Sequence, residues 1–467
     1  MMKTFIGRKD ELSQLEGLSR SGRSTMVVIK GRRRIGKSRL VAEFAKGKKF
    51  LSFSGLAPVK GITAQEQRDI FALQFVGHFR TIPMTFTDWF DAFMHLSEKL
   101  TDEPTVILLD EISWMGSEDP TFLPKIKIWW DKLSEERSNI TLILCGSVST
   151  WIEANIINST AFFGRISLRL TLKELSLPEC ALFLRSRGVQ ASNYDIFKIL
   201  SITGGVPWYL EQIQSERTID ASIKALCFSP TGLLVDEFRL IFHDLFDQRG
   251  SIYIKIVKAL AEGMRDYSQL REELGYGQGG TLSPYLEALI TSGYVTEHRS
   301  WSIKTTKASK KSLFRLSDNY VRFYLKVIEP QLEKIQQNAF ENAPLSSISG
   351  WSSLVGVQVE NLVLNNRSSV LRALGIHPQD VVADNPYIQK PTATREGLQI
   401  DYLIQTQTNS LYFCECKTTT GEIKMDVIKE ITKKIQNLIL PRRHSISPVL
   451  IHLGDLSDAV LDSGFFL

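Results

Sequence analysis

Eight residues near the N-terminus have the types and spacing needed to hold a polyphosphate. Gly31-Arg32-Arg33-Arg34-Ile35-Gly36-Lys37-Ser38 fits the pattern G-x-x-x-x-G-K-[ST]. Glycines in such a loop let backbone N–H groups wrap phosphate oxygens, and a helix that starts at the loop's end adds its N-terminal dipole. Lys37 is expected to reach the β- and γ-phosphates and Ser38 to ligate Mg²⁺. The flanks agree: 26–30 (MVVIK) is a short apolar run and 38–45 continues as a helix.

Further carboxylates stand where such a site needs them. Asp110 and Glu111 close the apolar run 106–110 (VILLD), and a strand's C-terminal end lies on the ligand side of a parallel sheet. Asp110 is expected to hold the Mg²⁺ shell through water and Glu111 to polarise an attacking water, which favours hydrolysis over transfer. The run 140–145 (ITLILC) ends in Gly146-Ser147. Ser147 is read either as a sensor of the γ-phosphate or the water, or as part of a plain turn. Arg165, after Phe163-Gly164, is placed to approach phosphate from the same chain or from a neighbouring subunit.

A second chemical cluster lies near the C-terminus. Asp401 sits in the run 400–404 (IDYLI), and 411–417 (LYFCECK) follows a turn at 408–410. A period of two puts Glu415 and Lys417 on one strand face, and a hairpin partner brings Asp401 beside them. Cys414, Cys416 and Tyr412 then alternate inward. Two carboxylates converging with a lysine can hold Mg²⁺ and activate water against a phosphodiester, the lysine stabilising developing charge.

The elements that must position these groups divide the chain. Residues 1–170 alternate buried-strand runs with helices, the α/β pattern of a P-loop nucleotide-binding core. Residues 171–240 read as a helical lid punctuated by Gly204-Gly205-Val206-Pro207. Residues 241–335 read as a winged-helix domain, with helical patterns at 251–263, 267–274 and 281–292, then GYVTEHRSWSIKT as two short strands around a turn. Leu282, Leu286 and Leu289 would face its core. The basic run of Arg299, Lys304, Lys307, Lys310, Lys311 and Arg315 contains no acid and offers a phosphate-contacting surface. Residues 339–350 have the Pro, Ser and Gly content of a linker. Residues 350–467 form a last α/β region.

Composition narrows the classes. The 467 residues carry a net charge of only +5, which permits nucleic acid as a partner without requiring it. Five cysteines with no Cys-x-x-Cys pair give neither a disulfide framework nor a structural zinc site, and fit a reducing cytoplasm. No run of 18 or more apolar residues appears, so no membrane span is expected, and the N-terminus lacks the apolar core of a signal peptide.

The N-terminal region resembles the archaeal and bacterial ATPase family of the AAA+/STAND group. The resemblance rests on Phe5-Ile6-Gly7-Arg8 with Glu11 and Leu15, the Arg-rich loop, Leu109-Asp110-Glu111, Cys145-Gly146-Ser147, Gly164-Arg165, and Gly204-Gly205-Val206-Pro207-Trp208-Tyr209-Leu210. It implies ATP rather than GTP; the residues alone support a purine nucleoside triphosphate, since no Asn-Lys-x-Asp segment is present. It also implies that Gly7 and Arg8 frame the adenine and ribose, and that Pro207 belongs to a lid segment closing over the nucleotide. The C-terminal region is similar to the PD-(D/E)xK nuclease superfamily and to the DUF234-type domain that ends this ATPase family. That likeness makes Asp401 and Glu415 metal carboxylates, Lys417 their lysine, Glu360 the acid on the preceding helix, and Gln399, Lys424 or Lys429 auxiliary groups. The expected fold is thus a P-loop core with helical lid, winged helix and restriction-endonuclease-like domain. The expected partners are ATP with Mg²⁺, DNA through the last two domains, and a second copy or another protein. Cleavage by the last domain and a non-catalytic switch or scaffold role both stay open.

Overall fold

The computed structural model describes residues 4–57, 61–147, 149–246, 250–277, 281–393, 395–419 and 421–467. The chain groups into two units, one of residues 1–175 with 206–208, the other of 176–205 with 209–467.

The first unit is built on a parallel sheet of β1 (Thr25–Lys30), β2 (Lys49–Ser54), β3 (Thr105–Asp110), β4 (Ile140–Gly146) and β5 (Ile166–Thr171), in the order β2-β3-β4-β1-β5. The central strands β1, β3 and β4 are buried on both faces, as their continuous apolar runs require. The edge strands β2 and β5 alternate buried and open positions. That alternation gives them no continuous apolar run, so no local signal marks them as strands of this sheet. The helices Ala64–Phe79, Trp89–Glu98 and Phe122–Glu136 bury Phe71, Trp89, Phe93 and Trp129 in one aromatic core with Phe53 of β2.

The second unit starts with the helices Leu177–Ser186, Asn193–Thr203, Ile219–Cys227 and Leu233–Phe246. The helices Gly250–Ala261, Tyr267–Glu273 and Ser283–Thr291 follow, then an antiparallel sheet of β6 (Arg265–Asp266), β7 (Val295–Trp301) and β8 (Ala308–Leu316), ordered β6-β8-β7. The segment expected to hold two short strands supplies only β7; its partner is the basic stretch that follows. Two further expectations need correction. Residues 339–350 are no open linker, since Phe340, Leu345 and Ile348 are buried, with Phe340 against the Phe228 ring. Arg315 is not on a phosphate-contacting surface: it is buried, donating to His298 Nε2 at 3.0 Å and Asn365 Oδ1 at 3.0 Å.

The last sheet contains β9 (Val381–Gln389), β10 (Leu398–Thr406), β11 (Ser410–Thr418) and β12 (Ser445–Leu453), ordered β12-β11-β10-β9, with β11 and β12 parallel and the other pairs antiparallel. Its core takes in Trp301 and Ile303 of the preceding hairpin, and the Trp301 indole donates to Gln405 Oε1 at 2.6 Å. The helix Trp351–Asn365 joins this region to the earlier helices through buried amides. Gln358 donates to the carbonyls of Ser201 and Asn319, both at 2.8 Å, and Asn361 to that of Ser317 at 2.9 Å. Ser201 lies in the last turn of the helix Asn193–Thr203, where carbonyls have no partner within their own helix. Among the described residues no helix is long and apolar enough to cross a membrane.

Candidate functional site

The phosphate loop leaves β1 through a turn that only glycine permits. Gly31 has φ 152°, and a β-carbon there would lie 2.6 Å from the Leu172 carbonyl oxygen. Gly36, at φ 90°, opens the helix Lys37–Phe44. Lys37 is buried, its ammonium donating to the carbonyls of Gly31 at 3.0 Å and Arg32 at 3.1 Å. The lysine is therefore held within the curl of the loop. Arg8 closes the loop from behind, donating to the Ile35 carbonyl at 3.2 Å and to the Lys173 carbonyl. It follows Gly7, at φ 80°, and is itself left-handed at φ 59°.

The sheet order brings three strand ends together. β4 lies between β1 and β3, and Lys30 pairs with Gly146 while Leu109 pairs with Leu144, so the C-terminal ends are nearly level. Ser38 Oγ donates to Asp110 Oδ2 at 2.6 Å, and Glu111 N–H donates to Asp110 Oδ1 at 3.0 Å. Glu111 Oε2 accepts from Ser147 N–H at 3.0 Å and from its hydroxyl at 2.8 Å. A hydroxyl beside a carboxylate suits a hard cation, so Ser38 and Asp110 fit Mg²⁺ in donor type. Pro207 flanks the loop, its Cγ 3.9 Å from where a β-carbon on Gly36 would stand.

The chain is similar to known proteins. Residues 5–213 match the family described as an ATPase domain predominantly from Archaea. This region is similar to an archaeal-type P-loop ATPase domain. The chain is 25% identical over 347 residues to the uncharacterized protein MJECL04 of Methanocaldococcus jannaschii, covering 72% of each chain. The structure of the Walker-type ATPase PABY2304 of Pyrococcus abyssi is similar at a TM-score of 0.50 and 18% identity, over 69% of this chain and 96% of that one. The Aeropyrum pernix ORC2 protein gives a TM-score of 0.45 at 14% identity, over 73% and 98%.

Arg165 of the first unit is engaged sideways. Its Nε and Nη2 donate to the two carboxylate oxygens of Asp131, at 2.6 and 2.8 Å. The Arg165 hydrogen bond, assisted by Lys127, holds the Asp131 carboxyl down at about 2. Asp131 lies on the helix Phe122–Glu136, and nothing in its sequence context announced this fork.

The C-terminal carboxylates form a different centre, inside the second unit. Asp401 on β10 accepts from Cys416 N–H at 2.8 Å. Burial first, then the charges of Glu360 and Glu415, push its carboxyl up to about 7. Glu360, on the helix Trp351–Asn365, is raised by burial against the opposing charge of Arg322, with Glu415 adding to the rise. Glu415 is buried; its Oε1 meets Lys434 Nζ at 2.5 Å and Lys417 Nζ at 3.4 Å, while Oε2 has no hydrogen-bond partner. Lys417 also binds both oxygens of Glu430 at 3.0 Å. The carboxylates thus feel one another, yet among the described residues no group of three or more His, Cys, Asp or Glu is disposed to hold a metal ion. The donor set suits a divalent cation, and the orphaned Oε2 is a ready ligand atom, but ammonium groups now hold the other side of Glu415.

One facial assignment changes. Leu411 and Phe413 belong to the core facing the helix Asp426–Asn437, and Glu415 and Lys417 continue that face. Cys414 is buried as well, so β11 is covered on both sides and the cysteine row is not the sole inward one. Lys434 and Glu430, the direct partners of the E-x-K pair, come from a helix whose place opposite β11 no local pattern revealed.

Proposed function

We propose that this ATPase domain hydrolyses ATP with Mg²⁺ and that the cycle is coupled to DNA held by the winged-helix and C-terminal regions. The observation that carries the reading is the convergence of Ser38 with Asp110 and of Glu111 with Ser147 at the C-terminal ends of the central strands. In this reading Lys37 exchanges its loop carbonyls for the β- and γ-phosphate oxygens. Ser38, and Asp110 through water, would hold Mg²⁺, which would supply charge neutralisation for the phosphates. Glu111 orients the attacking water, and Ser147 fixes the rotamer of Glu111. Measured turnover with Mg²⁺ and ATP, set beside a Glu111→Gln variant, tests it; equal turnover in the two proteins defeats the assignment.

The proposal for DNA is supported by the exposed Lys304, Lys307, Lys310 and Lys311 around and along the β7–β8 hairpin. The test is binding to duplex DNA at rising salt, with and without ATP; no binding at low salt removes DNA from the reading. Asp401, Glu415, Lys417 and Glu360 are further proposed as a metal-dependent phosphodiester-cleaving set, tested by nicking with Mg²⁺ or Mn²⁺ beside Glu415→Ala. A second reading, an ATP-driven switch or scaffold that binds DNA or protein without cutting, is favoured by one observation: Lys434 sits on Glu415 where a cation would bind. Absence of nicking with either ion selects it.

A further inference from the structure

The groups described so far face the phosphates. The tip of the phosphate loop is also held from outside. Arg34 sits at φ 68°, a left-handed conformation that residues with a β-carbon adopt at a cost. Such a conformation persists when its surroundings impose it. The Arg34 guanidinium carbon lies 3.6 Å from the centroid of the Trp208 ring. Arg34 and Trp208 are both half-buried, which strengthens a cation over a ring face relative to an exposed pair.

The position of Trp208 in the chain is equally informative. Among the described residues after Leu175, Val206, Pro207 and Trp208 alone group with the first unit; Gly205 before them and Tyr209 after them belong to the other unit. Gly204 has φ 56° and ψ −151°, a backbone region essentially restricted to glycine. The chain therefore departs sharply from a helix, lays three residues beside the phosphate loop, and leaves again. Pro207 stands beside Gly36 and Trp208 beneath Arg34, so the strap touches both the tip and the end of the loop.

We propose that Trp208 is a positioning residue for ATP. Its ring holds Arg34, and through Arg34 the left-handed tip of the loop, in the turn whose N–H groups receive the phosphates. A loop that is already ordered binds its ligand without the entropy cost of ordering it. The stack also keeps the Arg34 cation on the ring face and out of the phosphate seat. This inference rests on the ATP reading above.

The test uses the full chain, titrated with a fluorescent ATP analogue and assayed for turnover. Trp208→Leu is expected to weaken nucleotide binding by about 3- to 20-fold, with KM rising more than kcat falls. Trp208→Tyr, which keeps a ring face, should recover most of the loss. Arg34→Met should match Trp208→Leu, and the double variant should be no worse than either single one, because both remove the same contact. Binding by Trp208→Leu equal to that of the natural chain overturns the inference, as does a double-variant loss equal to the product of the single losses. If Trp208→Leu does not fold, Arg34→Met against Arg34→Lys decides: equal weakening in both overturns it, and a loss confined mainly to Met supports it. A natural chain that binds no ATP defeats the ATP reading itself, whereas normal binding with indifferent Trp208 variants defeats only the role of the strap.

Discussion

Glu111 Oε2 receives two hydrogen bonds from Ser147, one from the backbone N–H at 3.0 Å and one from the hydroxyl at 2.8 Å. The two residues end different strands and meet because β3 and β4 are neighbours in register. A carboxylate held this way has one fixed rotamer and one oxygen left to point. Glu111→Gln should keep ATP affinity within about 3-fold and lower kcat by about 100-fold or more. Ser147→Ala removes only the hydroxyl donor and should lower kcat by about 3- to 10-fold. Single-turnover hydrolysis beside equilibrium binding separates the effects; a loss confined to binding contradicts both roles.

Lys37 is buried against carbonyls of its own loop. Its ammonium is already desolvated within the curl of the loop, so in the proposed site its move to phosphate would need little reorganisation. Lys37→Ala should weaken ATP binding by about 100-fold or more, since a charge-assisted contact to phosphate is lost. Calorimetric titration with ATP checks this, and near-normal affinity would remove Lys37 from the site.

Mn²⁺ or Mg²⁺ without nucleotide should raise the thermal midpoint of the second unit, if the carboxylates take a cation. Asp401→Asn and Glu415→Ala should each abolish that shift while leaving ATP turnover within about 2-fold. Differential scanning calorimetry with and without EDTA reads it. An unchanged midpoint in the natural chain leaves the lysine-held arrangement as the working state.

His298 supplies a pH dependence. Burial, then the charge of Arg315, depress its imidazole to about 3, with Arg367 adding to the effect and the Asn385 hydrogen bond opposing it. The folded protein keeps His298 neutral, while the unfolded chain takes up a proton below about 6.5. Between those limits the unfolded state binds more protons, so stability falls as pH falls, by at most about 1.4 kcal/mol per pH unit from this group. Urea midpoints at pH 7.5 and 4.5 should drop further for the natural chain than for His298→Gln. Equal drops would show that the imidazole does not feel its two arginines.

Much of the first unit was legible because its signals are local. The phosphate loop is contiguous, and the central strands are apolar runs buried on both faces. Asp110 and Glu111 are legible because they end such a run. What stayed hidden depends on contacts distant in sequence. β8 looked like a basic run because Lys310 and Lys311 stand side by side where the register with β7 shifts, and the pairing of Ser312, Leu313, Phe314, Arg315 and Leu316 with β7 leaves no local mark. Arg315 looked like surface because charge alone does not report that His298 and Asn365 enclose it. Residues 339–350 looked open because their Pro, Ser and Gly outnumber the three apolar anchors that fix them. At the carboxylates, period two placed Glu415 with Lys417 on one face. Which face packs inward depends on the helix Asp426–Asn437, which lies beyond any local pattern.

The amides of Gln358 and Asn361 have a consequence for how this protein can be divided. A seam of leucines tolerates sliding and partial loss, because dispersion has no direction. A seam in which one side chain serves the carbonyls of Ser201 and Asn319 at once has a single setting. Cut the chain before Trp351 and those oxygens trade their amide for water, at about 0.5–1.5 kcal/mol each, while the apolar side chains that the helix Trp351–Asn365 covers are laid open. A shortened chain ending there should be poorly soluble even with its whole nucleotide site present. The boundary that looks most natural for cutting is the one the molecule has latched.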